Sequence, residues 1–112
     1  MQWHGQLAVV TMPGEIDMSN SAAIQEALLL AVAQRPAALV VDMTSTTFCD
    51  SAGVRAVMIS GGQASAADFE LRLVIGSPGV MRVFTLIGAD QVVEVHESLA
   101  SALEAAAEDQ HD

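Results

Sequence analysis

The sequence is poor in basic and aromatic residues. Its 112 residues include four arginines and no lysine against 14 acidic residues, which gives a formal net charge of −10. A surface this acidic repels phosphate backbones and anionic lipid headgroups, so we expect neither nucleic acid nor a membrane surface as a partner. With one Trp, three Phe and no Tyr, the core must consist of aliphatic side chains. That composition favours a parallel sheet covered by helices.

Cysteines and long apolar segments are also scarce. Cys49 is the single cysteine, which excludes an intramolecular disulfide and a cysteine-based metal cage and favours a reducing compartment. The three histidines are far apart and show no metal-ligand spacing, so we expect no metal and no cofactor. Apolar runs fall well short of the roughly 20 residues that cross a membrane, and Met1–Gly5 lacks the features of a signal peptide. These observations predict a cytoplasmic protein.

Hydrophobic residues make up 52% of the chain, enough for a substantial core. Apolar runs predict strands at 7–12, 38–43 and 71–75, with a short last strand at 91–95. Helices are predicted from about Ala22, after Ser51 as far as about Ala66 or Ala67, from Ser77–Pro78 and from Glu97–Ser98. This alternation predicts one α/β domain over 1–112, with a mostly parallel four- to five-stranded sheet and about four helices. We place its core at about 5–105 and expect disorder over 109–112.

The segment Asp50-Ser51-Ala52-Gly53 stands between the most apolar strand and an amphipathic helix, where open α/β sheets concentrate ligand chemistry. Ser51 is predicted to be the N-cap of that helix, with its hydroxyl exposed. The first-turn amides and the helix dipole would stabilise a phosphate there. Gly53 predicts the close approach of another backbone or a crowded first turn. From these residues alone, Ser51 as a simple cap remains an open alternative.

Three elements of the sequence together resemble the STAS domain, in particular the bacterial anti-sigma-factor antagonists. They are Gly14–Asp17, Val40–Met43 leading into Phe48–Val54, and Ile75–Pro78 with the apolar residues that follow as far as Gly88. The resemblance spans about residues 5–105. It implies that Ser51 is phosphorylated by an anti-sigma factor that is also an ATP-dependent serine kinase. It further implies that phosphorylation releases this partner and that a metal-dependent serine phosphatase resets the switch.

The resemblance also implies roles for the neighbours of Ser51. Asp17 would lie near the phosphorylation site and help the kinase to dock, or it could cap the turn before the first helix. Asp50 would orient Ser51 or contact the kinase, or it could close an Asx turn. Ala52 replaces the second hydroxyl residue that the family often has, which leaves Ser51 as the local acceptor. Ala52 and Gly53 are accordingly expected to support the site.

Catalytic motifs are missing from the sequence. We find no nucleophile–His–acid arrangement and no glycine-rich phosphate loop, so we expect the protein not to be an enzyme. The alternative to a phosphorylated antagonist is a non-phosphorylated STAS scaffold, or a ligand-binding subunit of a transporter or signalling complex. A kinase gene and a sigma-factor gene nearby would favour the antagonist, and lipid-transport genes would favour the alternative.

Overall fold

Helices and strands alternate along the chain in a computed structural model that describes residues 1–109. The elements are β1 (Gln2–His4), β2 (Leu7–Thr11), β3 (Glu15–Ile16), α1 (Ser21–Ala33), β4 (Ala38–Met43), β5 (Phe48–Cys49), α2 (Ser51–Ala66), β6 (Glu70–Ile75), α3 (Pro78–Ile87), a 3₁₀ turn (Ala89–Gln91), β7 (Glu94–His96) and α4 (Leu99–Glu108). The main sheet has the order β1-β2-β4-β6-β7, and β3 pairs with β5 separately. The predicted α/β class, the five-stranded sheet and the four helices are confirmed within the described residues.

The three central strands are apolar along almost their whole length because both of their faces are covered. Strands β2, β4 and β6 pair in parallel, with Val9 opposite Val40 and Val41 opposite Leu73. Odd-numbered side chains of β4, such as Val41, pack in the larger core beneath α1, α2 and α3. Val40, on the other face, packs against α4. This explains the continuous apolar pattern, which is typical of parallel strands buried on both sides.

Helix α4 covers one face of the sheet mainly with alanine and leucine side chains. One charged side chain is buried on that face. Arg72 in β6 is 6% exposed. Its guanidinium donates to the Glu70 carboxylate at 2.8 Å and contacts the Asp109 carboxylate, while Nη1 lies 3.1 Å from Nε2 of His96. Asp109 is therefore held at the end of α4, although it belongs to the segment predicted to be disordered. Residues 110–112 of that segment lie outside the described residues.

The edges of the sheet differ from the sequence-based expectation. Strand β1 was not predicted, and it pairs antiparallel with β2 through a turn in which Gly5 has φ of +62°. At the other edge, the last strand covers Glu94–His96 rather than 91–95, because Gly88 at φ +87° leads into the 3₁₀ turn. A left-handed conformation of this kind costs glycine little. Both edges thus depend on local turns rather than on an apolar pattern.

Candidate functional site

The candidate site is built on the small two-stranded sheet. In it, β3 and β5 run parallel, with Glu15 opposite Phe48 and Ile16 opposite Cys49. The pairing continues into the loop, where the Asp50 amide donates to the Ile16 carbonyl at 3.1 Å. Adjacent strands lie about 4.8 Å apart. Asp17 and Asp50 therefore leave the two strands side by side, and the structure brings these two predicted residues together.

Hydrogen bonds between distant parts of the chain hold this small sheet in place. The Thr47 amide donates to the Gly14 carbonyl at 2.8 Å, and the buried Thr46 hydroxyl donates to the Pro13 carbonyl at 2.8 Å. Both bonds join the segment after β2 to the segment after β4. The polar Thr44–Thr47 loop thus fixes one candidate-site strand relative to the other.

Asp50, and not Ser51, caps α2. Its backbone is extended (φ −87°, ψ −177°), and its carboxylate Oδ1 accepts a hydrogen bond from the Gly53 amide at 3.1 Å. The prediction of Ser51 as the N-cap is therefore wrong by one residue. Both residue types are good caps, and a carboxylate also interacts favourably with the helix dipole. Ser51 is the first residue of the helix, exposed, with its hydroxyl free of the capping role.

Gly53 is required by packing. A Cβ at this position would lie 2.6 Å from Cys49 Sγ and 2.6 Å from Ile16 Cγ2, closer than real side chains approach. The crowding expected at Gly53 is present, but side chains cause it and not another backbone. Ala52, one residue earlier, is half-buried. Gly53 therefore lets α2 start directly against the β3–β5 sheet, which positions Ser51 beside the strand ends.

The loop that carries Asp17 is ordered by its own side chains. The Asp17 carboxylate accepts hydrogen bonds from the hydroxyl and the amide of Ser19, the latter at 2.8 Å, and both lower the pKa of Asp17. Asn20 accepts from the Asp17 amide at 3.0 Å and donates to the Glu15 carbonyl at 2.8 Å. These bonds give Asp17 the turn-stabilising role that was one of its two predicted functions. Its docking role stays a prediction.

Two large apolar side chains near these loops were missed by the sequence reasoning. Phe48, one residue before Cys49, is 50% exposed, and Met18, one residue after Asp17, is 83% exposed. Phe48 and Cys49 form an apolar pair in the sequence, but only Cys49 is buried. A two-residue strand has too few positions for alternation to show which side chain points outward.

The site is acidic, since it holds the carboxyl groups of Asp17 and Asp50. Burial, with a smaller contribution from the Asp50 charge, raises the pKa of the Cys49 thiol to about 11. A thiol with this pKa is a poor nucleophile at neutral pH.

Within residues 1–109 no group of three acidic, histidine or cysteine side chains is placed to hold a metal ion. The described helices are all too short or too polar to cross a membrane.

Comparisons with known proteins agree with this architecture. The sequence matches the STAS domain over residues 1–102. The anti-sigma-F factor antagonist RsfB of Mycobacterium tuberculosis is 29% identical over 100 residues, which cover 89% of this chain and 81% of RsfB. The crystal structure of an anti-sigma factor antagonist from Mycobacterium paratuberculosis superposes with a TM-score of 0.87 at 28% identity, covering 94% of this chain and 89% of that one. The phosphorylated form of SpoIIAA from Bacillus shares the fold, with a TM-score of 0.70 at 20% identity over 94% and 95% of the two chains. The chain therefore belongs to the STAS domain family.

Proposed function

We propose that this protein antagonises an anti-sigma factor, binding it when Ser51 is unphosphorylated and releasing it when Ser51 carries a phosphate. The observation that carries the proposal is the position of Ser51, exposed in the first turn of α2 and relieved of capping by Asp50. The names of the mycobacterial relatives, both antagonists of anti-sigma factors, support this role. We infer that the protein acts by binding and not as an enzyme.

The charges around Ser51 explain how a phosphate would act. A phosphoserine adds about −1.5 to −2 charge at neutral pH. Asp50 is the next residue, and Asp17 leaves the neighbouring strand beside it. The added charge therefore enlarges a negative cluster that a partner would have to desolvate. Because helix N-terminal amides tolerate an anion, release needs only local repulsion and no unfolding of the domain.

The proposal includes the enzymes that set the state of Ser51. The anti-sigma factor would itself be the ATP-dependent serine kinase, and a metal-dependent serine phosphatase would remove the phosphate. Both assignments rest on the family resemblance of the Gly14–Asp17 and Phe48–Val54 segments. The switch would operate in the cytoplasm, without nucleic acid or a membrane as a direct partner of this chain, in keeping with its charge of −10.

Phosphorylation is tested by incubating the protein with the kinase encoded nearby and ATP, followed by intact mass and site mapping. We expect one phosphate per chain, on Ser51. The Ser51→Ala variant should remain unmodified, whereas Ser45→Ala, which removes an exposed hydroxyl from the Thr44–Thr47 loop, should be modified as the wild type is. An unmodified wild type, or a phosphate on Ser45, would contradict the assignment.

Release is tested by measuring the affinity of charge variants for the same kinase by calorimetry. Ser51→Asp should bind at least about tenfold more weakly than Ser51→Ala, a difference of about 1.4 kcal/mol. Ala27→Asp, which adds the same charge to an exposed position on α1, is the matched control and should bind as the wild type does. Equal affinities of the two Ser51 variants would refute release by repulsion.

A further inference from the structure

Ser51 and Arg55 lie one turn apart on the same exposed face of α2. Residues at this spacing are neighbours on a helix surface, with Cβ atoms about 5–6 Å apart. Helical side chains also lean towards the N-terminus of their helix, so the Arg55 side chain extends over the turn that begins at Ser51. Its guanidinium is therefore within reach of a group attached to the Ser51 hydroxyl.

Arg55 has no carboxylate partner in the part of the chain that the structure describes. Both ion pairs found within residues 1–109 are made by Arg72, whose side chain is buried. Asp50, the nearest acidic residue along the chain, accepts the hydrogen bond from the Gly53 amide that caps the helix. The Arg55 guanidinium is thus an exposed cation that can bind an added anion without breaking an existing ion pair.

A phosphate on Ser51 matches this cation in charge, shape and order along the helix. Phosphoserine carries about −1.5 to −2 charge at neutral pH and three acceptor oxygens. The planar guanidinium presents its N–H donors in a fork that fits two phosphate oxygens. In a helix, an anion followed four residues later by a cation is also more favourable than the reverse order.

We propose that Arg55 binds the phosphate on Ser51 by donating two hydrogen bonds to its oxygens within the same helix. The inference rests on the proposed function, since it needs a phosphate at Ser51. The contact exists only in the phosphorylated chain and therefore stabilises that state of the switch. A phosphate of about −2 charge outweighs the single charge of Arg55, so the repulsion that releases the partner remains.

The test uses the full chain with phosphoserine encoded at position 51, so that no kinase is needed. The pKa of the phosphate is measured by ³¹P NMR through its second ionisation, near about pH 6. Arg55→Gln should raise this pKa by about 0.3–0.7, because the doubly charged phosphate loses its partner. Asp17 and Asp50 act on the phosphate in both proteins, so the comparison isolates Arg55. An unchanged pKa in Arg55→Gln would overturn the proposal.

Two variants separate a direct contact from general attraction between charges. Arg35→Gln removes an equal charge from an exposed position before β4, whereas Ser51 follows that strand, and should leave the pKa of the phosphate unchanged. Arg55→Gln/Ile59→Arg keeps the net charge and moves the cation to the next exposed position on the same face of α2. Position 59 lies about 12 Å from Ser51 along the helix axis, too far for a direct hydrogen bond. This variant should keep most of the raised pKa. Full recovery of the wild-type pKa, or an equal rise in Arg35→Gln, would overturn the proposal.

A second measurement observes Arg55 itself. The side-chain Nε–H signals of the arginines are recorded by ¹H–¹⁵N NMR with serine and with phosphoserine at position 51. The Arg55 signal should shift and exchange more slowly with water in the phosphorylated chain, and the Arg35 signal should not change. An Arg55 signal that is the same in both chains would contradict the contact. A kinase that leaves Ser51 unmodified would refute the proposed function alone, because the encoded phosphoserine still supplies the phosphate here.

Discussion

Replacing Gly53 by alanine tests whether this glycine holds α2 against the β3–β5 sheet. The new Cβ would lie 2.6 Å from both Cys49 Sγ and Ile16 Cγ2, and both of these residues are buried. Overpacking of this kind costs about 1–3 kcal/mol. Alanine regains at most about 1 kcal/mol of helix propensity over glycine. We therefore expect Gly53→Ala to lower the free energy of unfolding by about 1–2 kcal/mol.

Gly62 provides the matched control in the same helix. No atom lies within 4 Å of the position that its Cβ would take. Gly62→Ala should therefore raise the free energy of unfolding by about 0.5–1 kcal/mol, through helix propensity and a less flexible unfolded chain. The two substitutions are chemically identical, so the difference between them, about 1.5–3 kcal/mol, isolates the packing at Gly53.

The assay is urea unfolding followed by circular dichroism, with linear extrapolation of the free energy to water. An unchanged slope with denaturant would show that both variants unfold from the same compact state. If Gly53→Ala proves as stable as Gly62→Ala, the close packing of α2 on Ile16 and Cys49 is refuted. The amide shifts of Asp17 and Ser19 provide a second readout, since displaced Ile16 should disturb that loop in Gly53→Ala alone.

Three further predictions concern single side chains. Asp50→Ala should lower the free energy of unfolding by about 1 kcal/mol, because α2 loses its cap, and Asp50→Asn should restore most of it in thermal melts; equal stability of both variants would contradict the cap. The stability of the wild type should fall as pH rises from 9 towards 11, because the unfolded thiol of Cys49 ionises at a lower pH than the folded one; Cys49→Ala should remove this part of the pH dependence in urea titrations. Asp109→Asn should cost about 1–2 kcal/mol by removing a charged partner of Arg72, measured by urea unfolding, whereas Glu108→Gln should cost nothing detectable.

The elements that could be predicted from the sequence are those with long, uniform patterns. The apolar runs 38–43 and 71–75 correspond to β4 and β6 because strands buried on both faces leave little room for polar residues. The helix after Asp50 was predicted to end at about Ala66 or Ala67, and α2 ends at Ala66. The edge strand β1 is exposed at every position, so it has no hydrophobic pattern that would predict it.

At the candidate site, the residues could be predicted more fully than their geometry. The sequence identified Asp17, Asp50, Ser51 and Gly53, but the β3–β5 sheet that joins them has only two residues in each strand. Such short strands are specified by tertiary contacts and not by local propensity. Likewise, Asp50 and Ser51 are adjacent and both residue types cap helices well, so the sequence does not show which of them is the N-cap. The hydrogen bond from the Gly53 amide to the Asp50 carboxylate identifies Asp50 as the cap.

The pairing of β3 with β5 joins segments that are 33 residues apart in the sequence. The hydrogen bond from the Thr46 hydroxyl to the Pro13 carbonyl spans the same separation. Closing a loop of that length costs conformational entropy, which contacts within either segment do not offset. The pairing therefore forms only after parts of the chain that are distant in sequence have come into contact. An isolated α2 could therefore display the Ser51 hydroxyl but not the Asp17 loop beside it. We expect a partner that needs both to ignore nascent or partly unfolded chains, so that completed folding becomes a condition for signalling.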